Sequence, residues 1–321
     1  MSEVNEVKEV KAVKEFKIVE NRMKYFAISI LIIACGLISM AMNASSGNGM
    51  LNFDIEFTGG TSMEIDLGEE YSDDIAVLNI VEEVTGQINV QIQSVSNSNT
   101  VIVKMPSIDS VQREALAEGI AAVYPNSEIL SSADVSGVVS EQMQTAAIQA
   151  IVVACVAMLI YISFRFRDFR AGGSAILALV HDVLIVLTAY SVLRIPVDNA
   201  FIAVLLTVLG YSVNATIVIF DRVRENHTSY KKDELAKKMN DSIRQTLGRS
   251  IHTSITTFLA VGSIYFLGVQ SIKEFALPMM VGIVAGIYSS IFISASIWYT
   301  FLTVAKPKDD DKELDGEPEL E

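Results

Sequence analysis

Cysteine is almost absent: among 321 residues only Cys35 and Cys155 carry a thiol, each inside an apolar run. Thiols so placed pack as small hydrophobes and offer neither a disulfide framework nor a metal site. Histidine is nearly as scarce, and His181, His227 and His252 are too scattered to form a metal cluster. There is no CxxC, no HExxH, no P-loop and no GxSxG, so the usual signatures of soluble enzymes are missing. No cofactor and no enzymatic activity are expected. No nucleic-acid partner is expected either, and the net charge of −14 is no single quantity, because the charges are segregated along the chain.

What the chain has in quantity is apolar side chains, 51% of the total, which points to the membrane. A helix crossing the hydrocarbon needs about 20 largely apolar residues. Six stretches qualify, at about 25–42, 143–163, 172–193, 201–220, 251–267 and 275–302. Ser39-Met40-Ala41 admits a weak cleavage-site reading of the first, but a charged flank of 24 residues is too long for a usual signal peptide. Lysine and arginine set the orientation. Twenty of the 24 basic residues fall in the N-terminal segment, the 164–171 loop, the 221–250 loop and the C-terminal segment. That side is expected to be cytoplasmic, and the polar stretch between the first two spans extracytoplasmic, in a multi-pass protein of the cell membrane.

The expected organisation is a cytoplasmic N-terminal tail (1–24), a first span (25–43), an outer α+β domain (44–140), five more spans (141–303) and an acidic disordered cytoplasmic tail (304–321). Within the outer domain, strands are expected at 52–57 and 62–67 around Thr58-Gly59-Gly60-Thr61, with a helix over 73–85 opened by Ser72 or Asp73. A hairpin follows, 88–95 with 100–105, then a helix over 109–124 and a strand over 127–133. After the opening strand the order is βαββαβ, a ferredoxin-like pattern. The stretch 52–134 holds fifteen acidic and two basic residues. Solubility accounts for that bias, and so does a surface that handles unfolded chain without adhering to anionic lipid.

Ionisable groups at mid-span cost about 2.5–3.5 kcal/mol even on insertion scales, so each needs a reason. Asp182 sits near the centre of the third span beside His181. Asn214 lies in the fourth, with Tyr211 and Thr207 on one helical stripe. Arg249 opens the fifth, which continues through His252, Thr253, Ser254, Thr256 and Thr257. Two readings stand: a hydrated proton-handling seam, with Asp182, Asn214 and Arg249 first and His181, Tyr211 and Asp221 second, or a hydrogen-bond cluster that holds the bundle. Arg249 could equally snorkel to the interface. The hydroxyls of the fifth span are expected to bond back to their own helix. Gly282, Gly286, Ser290 and Ser294 recur every four residues, which predicts close packing against another helix, in this chain or a partner. In the 221–250 loop, Leu235, Met239, Ile243 and Leu247 with nearby lysines read as an amphipathic helix lying on the inner leaflet.

Several ordered strings carry a resemblance. They are 57–61 (FTGGT), 178–182 (ALVHD), 210–214 (GYSVN), 216–226 (TIVIFDRVREN), 242–250 (SIRQTLGRS) with Thr253-Ser254, and 288–292 (YSSIF). FxGG alone is weak, whereas the block from Gly-Tyr-Ser to Arg-Glu-Asn is specific. Together they resemble the SecF family of bacterial protein-export membrane proteins, over nearly the whole chain. The resemblance implies an RND-like half-transporter: six transmembrane helices with one extracytoplasmic ferredoxin-like α+β domain between helices 1 and 2. It also implies a SecD partner, work beside the SecYEG translocon on a translocating polypeptide, and use of the proton-motive force. The family usually places an aspartate after the Asn of Gly-Tyr-Ser-x-Asn, where this chain has Ala215, while the matching arginine is kept as Arg249. Proton coupling through this subunit then falls to Asp182 or to a SecD carboxylate, and another coupling ion is open. Smaller departures are Asp54, Glu56 and Ser136-Gly137. Competing readings are half of a small-molecule transporter of the same superfamily and a scaffold without ion coupling.

Overall fold

The computed structural model describes residues 17–47, 49–69, 74–87, 90–95 and 98–304. The segments 1–16 and 305–321, and with them the bulk of the expected terminal tails, lie outside the described residues, as do Ser72 and Asp73. The first apolar run is helix α1 (Arg22–Ser45). The chain just before it is not loose. Ile18 and Val19 are buried, and their backbone N–H groups donate to Asn240 Oδ1 at 2.9 and 3.2 Å.

The opening strand of the outer domain is shorter than alternation predicts. Only β1 (Asn52–Phe53) is extended, and a single-turn helix α2 (Ile55–Thr58) follows. The cause is local: Asp54 Oδ1 accepts from the Ile55 N–H at 2.6 Å, and Gly59, at φ 76°, ends the turn. Strand β1 pairs in parallel with a segment far along the chain, Asn52 with Pro196 and Phe53 with Val197. The rest follows the βαββαβ order: β2 (Gly60–Asp66), α3 (Asp74–Thr85), β3 (Gln91–Ser94), β4 (Thr100–Met105), α4 (Ser110–Val123) and β5 (Glu128–Val135). Asp109 and Gln112 close a capping box at the start of α4. The sheet order β3-β4-β2-β5 is antiparallel throughout, as in ferredoxin-like domains. Met63, Ile65, Val101 and Val103 from the sheet meet Val77, Val81, Leu116 and Ile120 from the helices in its core.

The remaining spans are α5 (Gly137–Phe166), α6 (Phe169–Leu193), α7 (Asn199–Glu225), reached through β6 (Pro196–Val197), and α8 (Leu235–Leu267). The last is composite: α9 (Gln270–Tyr288), a π-helical stretch Ser289–Ser294 and α10 (Ala295–Val304). With α1 these are six helices long and apolar enough to cross a membrane. Helices α5, α6 and α7 start at the caps Ser136, Asp168 and Asp198. Those caps precede the apolar runs by a few residues, which is why hydropathy placed the starts late.

The 221–250 loop departs from expectation. Helix α8 runs unbroken through it into the fifth span. Its apolar face does not lie open to a leaflet, because Met239 and Ile243 are fully buried against Ile18, Val19, Phe220 and Val223. A helix face patterned for an interface is equally suited to a protein core, and here the N-terminal segment and α7 cover it.

The outer domain is fastened to the bundle by polar contacts at its base. Glu56 Oε2 accepts from the Asn199 N–H at 2.7 Å and Gln144 donates to the Phe57 carbonyl at 2.5 Å, while Lys104 pairs with Asp54 within the domain at 2.7 Å. Gln93 bonds Glu274. Phe57 itself is buried in the bundle core with Val186, Tyr190 and Val204.

Candidate functional site

A buried polar cluster inside the bundle is built around Asp182 on α6, which has no exposed surface. Its Oδ2 accepts from Ser212 Oγ on α7 at 2.5 Å and from Ser289 Oγ, at the start of the π-helical stretch, at 2.7 Å. Its Oδ1 lies 3.0 Å from His181 Nδ1, and His181 Nε2 lies 2.9 Å from Ser29 Oγ on α1. The result is one string, Ser29–His181–Asp182–Ser212/Ser289, joining four elements. The ring of Tyr288 stacks on His181 with centroids 6.0 Å apart, and its hydroxyl donates to the Tyr25 carbonyl at 2.9 Å.

The helix packing that makes this possible comes from small residues. A β-carbon at Gly282 would overlap the Val208 side chain, and one at Gly286 would stand 3.3 Å from Ser212 Cβ. Helix α9 therefore closes on α7 within the same chain, which brings Ser212 and Ser289 to one carboxylate. The other two members of the four-residue stripe serve their own helix: Ser290 and Ser294 donate to the carbonyls of Ile287 and Ser290. The wide turn at Ser289–Ser294 carries the stripe onward out of strict α-helical register.

Other residues singled out from the sequence are not brought to this point. Asn214 and Arg249 are exposed on α7 and α8, and Tyr211 is 42% exposed. On α7, Asn214 lies on the side opposite the buried face that carries Val208, Ser212 and Thr216, with Tyr211 one turn away beside it. His252 is also exposed, and Ala215 is half-buried. Asp221 pairs with Arg165 at 2.8 Å and ties α7 to the end of α5. Thr253, Thr256 and Thr257 donate to carbonyls of their own helix, as their positions suggest. Ser29, Ser212 and Ser289 are the site residues that sequence reading missed. Ser212 and Ser289 stood inside the quoted strings, but a serine in an apolar helix carries no signal until its partner is known.

Chemically the string joins two titratable groups directly, His181 and Asp182, and flanks them with hydroxyls that can both donate and accept. A change of protonation at either group must re-pair the others. His181, with Tyr288 stacked on it, lines an apolar groove of about 490 Å³ together with Ile28, Ile32, Phe258 and Val284 among others. Among the described residues no group of three His, Cys, Asp or Glu could hold a metal.

Comparison with known proteins agrees on one family. Residues 115–304 match the family described as protein export membrane protein SecD/SecF, C-terminal. The protein translocase subunit SecF of Acidaminococcus fermentans is 34% identical over 90% of this chain and 98% of its own length. The protein translocase subunit SecDF of Thermus thermophilus is 35% identical over 77% of this chain, which spans only 34% of that longer protein. The crystal structure of SecDF from Thermus thermophilus, a translocon-associated membrane protein, superposes with a TM-score of 0.79 at 31% identity, covering 90% of this chain and 39% of the other.

Proposed function

Because the chain belongs to the SecD/SecF family of protein-export membrane proteins, we propose that it is the SecF-type subunit of a SecD–SecF complex that draws polypeptide outward at the SecYEG translocon using an ion gradient. The SecD partnership rests on one observation above all. Tyr211, Asn214, Arg249 and His252 are polar or ionisable, sit on two packed helices of the bundle, and are exposed in the isolated chain. In hydrocarbon such a face is costly, so a partner helix or a hydrated seam must cover it. Relatives in which SecD and SecF are one chain supply a candidate of the right size. The basic ends of the bundle face the cytoplasm in this reading, and the outer domain faces away from it.

Ion coupling in this subunit is assigned to Asp182, the buried carboxylate that remains where Ala215 replaces the usual aspartate. A second reading, a scaffold without coupling, is favoured by the hydrogen bonds that both Asp182 oxygens make, since a carboxylate so held can simply hold helices together. The partnership is tested with a photocrosslinking residue at Tyr211 in native membranes. Capture of SecD is expected there and not from Leu267, which is 87% exposed at the far end of α8. Equal yields at both positions, or lipid adducts alone at Tyr211, would refute it.

A further inference from the structure

We propose that the free edge of strand β5 is a docking site for an extended, basic segment of the polypeptide being exported, which adds to the sheet as a fifth strand. The inference rests on the export function proposed above and names the surface involved. Strand β5 is eight residues long and, among the described residues, pairs on one side only, with β2. From Glu128 to Asp134 every residue is exposed. Its protection is slight: it contains no lysine or proline, the residues that usually blunt such an edge, and only a bulge opposite Glu64/Ile65 interrupts it.

The ladder tells which groups point outward. The Leu67 N–H donates to the Asn99 carbonyl at 3.0 Å, so the odd-numbered positions of β2 bond to β4 and the even-numbered ones to β5. Gly60, Ser62 and Glu64 therefore bond to Val135, Ala133 and Ser131. By the same alternation the backbone N–H and C=O groups of Ser132 and Asp134 face away from the sheet. An added chain would meet these groups whatever its sequence, which suits a surface that handles many clients.

Side chains of such a strand have a place to go. Between α4 and β5 runs a groove of about 440 Å³, lined by Ile65, Ala117, Ile120 and Ile129 and rimmed by Glu118 and Glu128, with no cation in its lining. Arg113, which α4 also carries, is already paired with Asp134. Apolar side chains fit the groove and lysine or arginine fits its rim. Charge complementarity thus selects an extended segment in which apolar and basic residues alternate.

The test uses the full chain in membranes carrying the complete export machinery. A photocrosslinking residue is placed at Ser132, or at the exposed Ile75 on α3 as a control. The exported chain is arrested with either a Val/Lys or a Val/Glu alternating segment outside the membrane. Capture is expected at Ser132 and not at Ile75, and for the Val/Lys segment over Val/Glu. Two further variants carry the crosslinker at Leu130 instead. Ser132→Pro removes the outward N–H without touching the β2 ladder and should lower capture roughly fivefold, the equivalent of one hydrogen bond, whereas Ser132→Ala should not. Reversing the rim with Glu118→Lys and Glu128→Lys should shift preference to Val/Glu, a result that does not depend on how well the proline variant folds. Equal capture of both segments, or a constant product with a resident membrane protein whether or not export is under way, would overturn the docking site. Normal export from membranes lacking this chain would instead refute the export function on which the site rests.

Discussion

Asp182 has every lone-pair direction but one engaged by Ser212, Ser289 and His181, in a part of the bundle with no exposed surface. Asp182→Asn keeps the shape and can still accept, but abolishes the change of charge. A loss of about 1–3 kcal/mol in stability is expected, with the complex still assembled and gradient-driven export falling to its gradient-independent level. Export assays with and without an imposed gradient decide between coupling and scaffold: unchanged export assigns Asp182 to helix packing alone. Ala215→Asp should restore part of the lost export only if Arg249 meets position 215 once a partner covers the face, since neither belongs to the string in the isolated chain. Asn240 makes a separate test. Asn240→Ala strands the buried N–H groups of Ile18 and Val19, and should cost about 1–3 kcal/mol, read as a lower melting temperature of the detergent-purified chain.

At the scale of elements, the contact of α9 with α7 is where a small change has the largest consequence. Gly282→Leu would drive a side chain into Val208, and overpacking of this kind costs about 1–3 kcal/mol. The melting temperature should fall, and Val208→Ala in the same chain should recover part of it, which a double-mutant cycle reads directly. The junction of the outer domain with α7 has its own pH dependence. Burial, and then the neighbouring Glu56 carboxylate, hold the Asp198 carboxyl above its ordinary range. A raised acid pKa means the folded state binds the proton more tightly, so this contribution to stability is present at low pH and is lost as pH rises through the folded-state pKa. The melting temperature should therefore rise as pH is lowered from neutral towards the ordinary aspartate range. Asp198→Asn keeps the capping oxygen for the Phe201 N–H, and it should flatten this site's share of the trend while raising stability at neutral pH.

For the whole molecule, membership of the SecD/SecF family supports a role in protein translocation. The six spans, the ferredoxin-like domain between the first two and its βαββαβ order were all legible in the sequence, because length, apolar period and turn residues are local properties of the chain. So was the presence of Asp182 within a span, since a carboxylate in an apolar run is conspicuous whatever surrounds it. The strand pairing of Asn52 with Pro196 was not legible, nor was the burial of Met239 under Ile18. Both join segments far apart in sequence, and an apolar stripe looks the same whether protein or lipid covers it. The serines around Asp182 were hidden for a related reason: a hydroxyl in a helix can always bond its own backbone. Only the close approach of α9 to α7, which Gly282 and Gly286 permit, decided that Ser212 and Ser289 turn to the carboxylate while Asn214, on the opposite side of α7, faces outward.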